Sequence, residues 1–263
     1  MLYRLVFLAL ALPGFACALY SGNPSLPMMP ESGLFISKEN WLGFKLGYEF
    51  DRVYDCKMKL SGQNLPGLHK SVKKDDSMAN LGLLTLNFND RAELFGTLGA
   101  LRVHLAHHPF TGTEISYKSE NGFAWGVGGR AILAYWGDIQ LGLNAEYMAS
   151  DPSLSSLSVD GRAYSVGKSE VDYCQWQIGL GASYRLGWFI PYFGVNYINL
   201  KEKFRHLDSI VFVLPKGHVT FKSDNPYGVY LGFGVSFPRA LQVNFEARFI
   251  NENAVSVSAD FKF

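Results

Sequence analysis

Hydrophobic and polar positions alternate along most of this chain. From Phe44 the even positions Phe44, Leu46, Tyr48 and Phe50, then Tyr54, Cys56 and Met58, are apolar, while Lys45, Gly47, Glu49, Asp51, Asp55 and Lys57 between them are small or charged. The same split separates Ile139, Leu141, Leu143, Ala145 and Tyr147 from Gln140, Gly142, Asn144 and Glu146. It returns in residues 227–237, apart from Tyr230, and again in 241–249 and 255–263. A period of two marks β-strands with unlike faces, and after residue 18 no apolar run is long enough for a membrane-spanning helix.

The breaks between these segments are of two kinds. Tight turns at residues 89–91, Gly137-Asp138, Gly187 and Pro238-Arg239 alternate with long polar stretches at 61–78, 105–121, 151–167 and 201–226. Aromatic residues crowd the tight turns, with Phe88, Trp136, Trp188 and Phe237 beside them, and the last residue is Phe263 inside an alternating segment. A soluble sandwich also alternates. The asymmetry of the breaks and the aromatic girdle point instead to an all-β, transmembrane antiparallel β-barrel with short periplasmic turns and long outer loops. With both termini on the periplasmic side the strands are even in number. About ten (8–12) are expected, at 43–60, 79–89, 92–104, 122–136, 139–150, 168–186, 188–200, 227–237, 240–249 and 253–263. Residues 92–104 alternate poorly. Residues 210–214 and 218–222 read as a hairpin within the fourth outer loop, turned at 215–217.

Residues 1–18 carry the single basic residue Arg4, an apolar run from Leu5 to Leu12, a Pro13-Gly14 break and Ala16-Cys17-Ala18. These are the parts of a cleaved secretory signal peptide. The expected organisation is therefore a signal at 1–18 and an outer-membrane β-barrel at 19–263, starting near Leu19. Cleavage leaves Cys56 and Cys174 in an oxidising compartment where a disulfide is chemically allowed, and the sequence leaves their pairing open. Twenty-four basic against 23 acidic residues, a formal net charge of +1, argue against a nucleic-acid partner held by a basic footprint.

Turning the polar face of each strand inward places Lys45, Lys57, Lys59, Arg130, Arg185, Arg248 and Lys262 against Glu49, Asp51, Asp55, Glu146, Glu246 and Asp260. Candidate pore-lining residues are Lys45, Glu49, Asp51, Arg130, Glu146, Arg185, Glu246 and Arg248. The signs nearly cancel, so a wet lumen of mild ion preference is one expectation. A narrow barrel plugged by its own side chains is the other. The inward glycines Gly142, Gly179, Gly181, Gly228, Gly232 and Gly234 remove bulk from the wall. Arg52 falls on the greasy face, either at the outer interface or turned inward by a bulge. His104, His107 and His108 have a spacing that on a helix would share one face, but no metal or cofactor site is assigned. His206, Asp208 and Asp224-Asn225 supply only fragments of an omptin-like protease rim, and no enzyme motif is present.

Several short runs carry a family resemblance. They include Gly22-Asn23-Pro24, Gly47-Tyr48 with Phe50-Asp51-Arg52-Val53, Asp90-Arg91 with Phe95-Gly96-Thr97-Leu98-Gly99-Ala100, and Phe123-Ala124-Trp125 with Val127-Gly128. Trp176-Gln177, Ser183-Tyr184-Arg185-Leu186, Pro191-Tyr192 and the final Phe261-Lys262-Phe263 follow in order. On these the chain resembles the chlamydial major outer membrane protein (porin) family. The resemblance implies an outer-membrane porin that passes small solutes by passive diffusion and contributes to envelope structure. Outer-membrane lipid is the expected surrounding, Phe263 the expected signal for the barrel assembly machinery, and a homo-oligomer an open expectation. A non-conducting structural or adhesive barrel is the alternative, and a rim-site enzyme a distant third. The chain departs from the family in being short and in keeping only two mature cysteines.

Overall fold

Ten antiparallel strands close on themselves into one barrel, with a short N-terminal segment inside it. The computed structural model describes residues 20–28, 41–61, 69, 72–207, 217–237 and 240–263. The strands are β1 (Leu42–Cys56), β2 (Met58–Ser61), β3 (Val72–Phe88), β4 (Ala92–Phe110), β5 (Thr113–Ser119), β6 (Gly122–Trp136), β7 (Ile139–Ser150) and β8 (Leu154–Val159). They continue as β9 (Arg162–Tyr164), β10 (Glu170–Tyr184), β11 (Phe189–Leu207), β12 (Gly217–Ser223), β13 (Tyr227–Phe237), β14 (Leu241–Phe249) and β15 (Glu252–Lys262). The wall runs β3-β1-β15-β14-β13-β11-β10-β7-β6-β4 and closes where β4 pairs with β3. Closure gives each wall strand a hydrogen-bonded neighbour on both sides, which is what allows strands to cross hydrocarbon.

Alternation decides which side chains face lipid. Lys45, Glu49 and Asp51 of β1 are buried inside, whereas Phe44, Leu46 and Tyr48 are exposed outside. Tyr230, which breaks the pattern of β13, also points inward and is buried. Outside, exposed aromatics gather in two rings. The turn-end ring holds Trp41, Trp136, Trp188 and Phe237, with Phe88 stacked on Trp41 at 6.2 Å and the Phe263 amide bonded to the Phe44 carbonyl at 2.9 Å. A second ring near the loop end joins Trp125 to Tyr147 at 5.7 Å, Trp176 to Tyr197 at 5.1 Å and Tyr197 to Tyr227 at 5.4 Å. Sequence reasoning missed it because these residues lie within strands rather than beside turns. From Tyr184 to Trp176 runs about 27 Å of tilted strand, the scale of an outer-membrane apolar band.

Beyond the second ring the wall continues as an outer storey. Strands read as loop in the sequence stand above the hairpins that stop short. β5 pairs with upper β4 and with β8 above the β6–β7 hairpin, and a bridge from Ser153 to Glu170 ties them to β10. β12 pairs with upper β11 and with β2 above β13–β15. The stretch 210–214, expected to pair with 218–222, lies outside the described residues. Val53, Leu101, Leu105, Ile115, Tyr117, Phe204 and Phe221 meet inside this storey in one apolar core. The inner faces of β3 and β4 therefore change character as they rise, from Asn87 and Thr85 to Leu83, Leu81 and Ala79, and from Glu93 to Leu101, Val103 and Leu105. That is why residues 92–104 alternate poorly.

One expectation is corrected here, and two points that the sequence left open are decided. A bulge between Val53 and Asp55 switches the inward parity of β1 from odd to even positions. Met58 and Leu60 consequently enter the core, while Lys57 and Lys59 are exposed and Lys59 pairs with Asp224 at 2.8 Å. Asp55, past the same bulge, is half-buried. Cys56 is buried inside, whereas Cys174 lies on the outer face of β10, its Sγ 3.5 Å from the Tyr147 hydroxyl. β1 and β10 stand on opposite sides of the ring, so Cys56 and Cys174 do not pair. The bulge comes after Arg52, which stays on the outer face opposite the exposed Val255, with its guanidinium 5.2 Å from the Tyr54 ring and 3.7 Å from Asp76.

Candidate functional site: the barrel interior

The interior is occupied by the chain's own N-terminal segment. Residues 20–27 are buried, running from mid-depth at Tyr20 to the turn end at Met28. The Asn23 side-chain oxygen accepts from the Ser25 amide at 3.0 Å, and the Leu26 and Met28 amides donate to Asn23 and Ser25 carbonyls at 3.0 and 2.9 Å. An Asn-Pro turn leading into one 3₁₀ turn is how so short a segment satisfies its own backbone.

The wall satisfies the rest. Glu49 accepts the Tyr20 amide at 3.1 Å, and Glu246 accepts the Ser21 and Gly22 amides at 2.9 and 3.2 Å. Gln177 donates to the Tyr20 carbonyl at 3.2 Å, Lys45 to that of Leu26 at 2.5 Å, Asn87 to that of Pro27 at 2.8 Å and Arg185 to that of Met28 at 2.6 Å. A Cβ on Gly142 would sit 2.9 Å from the Pro24 carbonyl oxygen, and one on Gly181 would sit 2.9 Å from Pro24 Cγ. These glycines receive the segment rather than widen a channel.

A network of buried ions surrounds it. Arg248, fully buried, reaches Asp51 at 2.6 Å, Glu252 at 2.7 Å and Glu246 at 3.1 Å, and donates to Ser256 at 2.5 Å. Lys45 pairs with Glu93, and Arg130 lies 3.7 Å from Glu93 with its guanidinium 4.3 Å from the Phe95 ring. Lys262, buried at the turn end, reaches Asp90 of the turn at 2.7 Å. Among the described residues, the buried interior of this storey holds Glu49, Asp51, Glu93, Glu146, Glu246, Glu252 and Asp260 against Lys45, Arg130, Arg248 and Lys262. The expected balance of signs is thus corrected: the interior is acidic, because Lys57 and Lys59 belong to the outer storey and Glu93 and Glu252 join the inside.

Of the candidate pore-lining residues, Lys45, Glu49, Asp51, Arg130, Glu146, Glu246 and Arg248 are buried inside the barrel, and Arg185 is half-buried at the turn end. They face a packed interior: a cavity of about 10 Å³ between segment and wall, lined by Asn23, Pro24, Arg130 and Tyr230 among others, has room for about one water. The histidines separate, as a strand requires. His107 points into the outer core, 5.0 Å from Phe221 and 5.9 Å from Tyr117, while His108 outside meets Glu114 at 3.3 Å and His104 meets Ser116 at 3.1 Å. Arg102, exposed on the outer face five residues earlier on β4, marks His107 as lying beyond the lipid band, and burial pushes its pKa down to about 4. His206 is exposed, Asp224 is engaged with Lys59, and Asp208 lies outside the described residues.

Sequence reasoning missed the plug. Its signal was the polar Gly22-Asn23-Pro24 run beside inward glycines more than a hundred residues away, which no local pattern connects.

Comparison with known proteins fits this architecture. The family model "Chlamydia major outer membrane protein" matches residues 159–221. The major outer membrane porin, serovar B, of Chlamydia trachomatis is 23% identical over 394 residues, covering 98% of both chains. That alignment is longer than this 263-residue chain because the relative carries insertions. A major outer membrane porin of Chlamydia pneumoniae is 24% identical over 284 residues, covering 75% of this chain and 73% of the relative. Among solved structures, the outer membrane protease OmpT of Escherichia coli overlaps 86% of this chain and 100% of its own at 16% identity, with a TM-score of 0.41, too loose a likeness to bear on function. The chain is similar to the Chlamydia major outer membrane porins over nearly its whole length, and it is an outer-membrane β-barrel.

Proposed function

We propose that this barrel is closed at rest and serves the outer membrane as a structural wall element. The observation that carries this reading is the filled interior, in which residues 20–28 occupy the lipid-embedded storey and an apolar core occupies the storey above. These are two separate seals. A hydrated ion would have to displace a hydrogen-bonded segment and then cross a storey packed mostly with apolar side chains. Passive diffusion of small solutes is the second reading, favoured by the porin names of the relatives and by the absence of any covalent tie between segment and wall among the described residues. Planar-bilayer recording of the purified mature protein separates the two. Silence at ordinary holding potentials supports the closed wall, whereas steady stepwise conductance of porin size overturns it in favour of diffusion.

A further inference from the structure

On the outside of the outer storey, cations of neighbouring strands stand side by side. β11 buries Leu200, Glu202 and Phe204 within the barrel, so Lys201, Lys203 and Arg205 project outward. β12 buries Val219 and Phe221 and turns Lys222 outward, and β2 buries Met58 and Leu60 and turns Lys59 outward. The strand register then sets three of these in line, with Lys201 opposite Lys222 and Lys222 opposite Lys59. Neighbouring strands lie about 4.8 Å apart, so the row is only about 10 Å wide. Like charges directly opposite one another destabilise a sheet, and the nearby acids are engaged elsewhere. Asp224 holds Lys59 at 2.8 Å, Asp172 holds Arg205, and Glu170 lies further out, opposite Arg205. Among the described residues, Lys201, Lys203 and Lys222 make no ion pair.

The height of the row says what comes to meet it. Trp176 is opposite Asn199 and Cys174 opposite Lys201, so Lys201 stands two residues, about 7 Å of strand, beyond the level of Trp176 in the loop-end aromatic ring. Tyr197 and Tyr227 of the same ring lie below it on β11 and β13. Such rings mark the level at which acyl chains give way to headgroups. We propose that the row is a docking site for a phosphorylated lipid of the outer leaflet. Its phosphate meets the ammonium groups of Lys201 and Lys222, with Lys203 and Lys59 at the flanks, because ammonium and phosphate form strong charge-assisted hydrogen bonds. Its acyl chains lie on the exposed apolar wall beneath, along Phe193, Val195 and Leu231. A basic strip in open water would take any anion, whereas one standing on a hydrocarbon-facing aromatic shelf favours an anion that carries tails. The contact is independent of whether the interior conducts.

The test titrates the folded protein, held in a zwitterionic detergent, with diphosphoryl lipid A and counts bound lipid by native mass spectrometry. The unaltered protein should take up diphosphoryl lipid A in preference to phosphatidylcholine and release it as salt rises. Lys201→Gln combined with Lys222→Gln should weaken that binding about 25-fold, roughly fivefold for each lysine. Lys118→Gln with Arg162→Gln, at exposed positions on β5 and β9, removes the same charge away from the row and should leave binding unchanged. Gel mobility before boiling confirms that each variant is folded. Undiminished affinity in the Lys201, Lys222 variant, an equal loss in the Lys118, Arg162 variant, or uptake by the unaltered protein that ignores both lipid charge and salt overturns the proposal. Inorganic phosphate should displace the lipid no better than sodium chloride of equal ionic strength; if it displaces it better, the row is a site for free phosphate and the lipid assignment falls.

Discussion

Arg248→Met puts the buried ion network to the most direct test. The guanidinium is fully buried and is shared by Asp51, Glu246 and Glu252, each 3% exposed or less, with Ser256 closing the fork. Methionine keeps much of the volume and none of the charge. Removing one partner from a buried pair costs about 3–5 kcal/mol, because the remaining charge is stranded. Here three carboxylates lose their common cation at once, so the upper end of that range, about 5 kcal/mol, is the expected loss. That is a large part of the roughly 5–15 kcal/mol that holds a typical domain folded. The assay is a urea titration in detergent micelles, with folded and unfolded barrel counted by their different gel mobilities before boiling. Arg248→Lys retains the charge but not the planar fork, and should fall between the two. Asp51→Asn and Glu252→Gln added to Arg248→Met should recover more than half the loss, since uncharged partners no longer need the cation. If Arg248→Met alone unfolds within about 1 kcal/mol of the native protein, the carboxylates are not dependent on Arg248 and the network account would be falsified.

Three further outcomes follow from other parts of the molecule. Gly142→Val, whose Cβ alone would meet Pro24 at 2.9 to 3.2 Å, should loosen the plug by about 1–3 kcal/mol; faster protease nicking of residues 20–28 with unchanged gel mobility of the barrel is the expected signature. His107 binds its proton far less readily folded than unfolded, with a pKa of about 4 against 6.5. Its contribution is therefore fully present above about pH 6.5 and lost as the pH falls towards 4, on the order of 3 kcal/mol in all. His107→Phe, which removes two ring nitrogens that have no partner, should stabilise the outer storey by about 1–2 kcal/mol at neutral pH and flatten this acid sensitivity; urea midpoints of both proteins at pH 7 and pH 4.5 decide it. Cys56 and Cys174 should not be joined to one another in the folded protein, so alkylation after unfolding without reductant should add two labels per chain, and a mass showing none would contradict the strand order.

The sequence by itself determined the barrel and most of its lipid-facing surface. Where one side of a strand meets hydrocarbon and the other a polar interior, as along Gln140 to Glu146 or Gln242 to Arg248, the period of two is written directly into neighbouring residues. The turn-end aromatics were legible for the same reason, since interface and turn coincide. Alternation fades where the inside is apolar as well, so Leu81, Leu83, Leu101 and Val103 conceal the outer storey, and one bulge at Val53 was enough to send Lys57 and Lys59 to the wrong side. Only the closed cylinder decided what fills it. The Ser21 amide meets Glu246 across 225 residues of chain, and no local pattern can reveal a partner that becomes a neighbour only when the first and last wall strands join. Local sequence records which face of a strand avoids water, whereas the company a buried charge keeps depends on how the ring shuts.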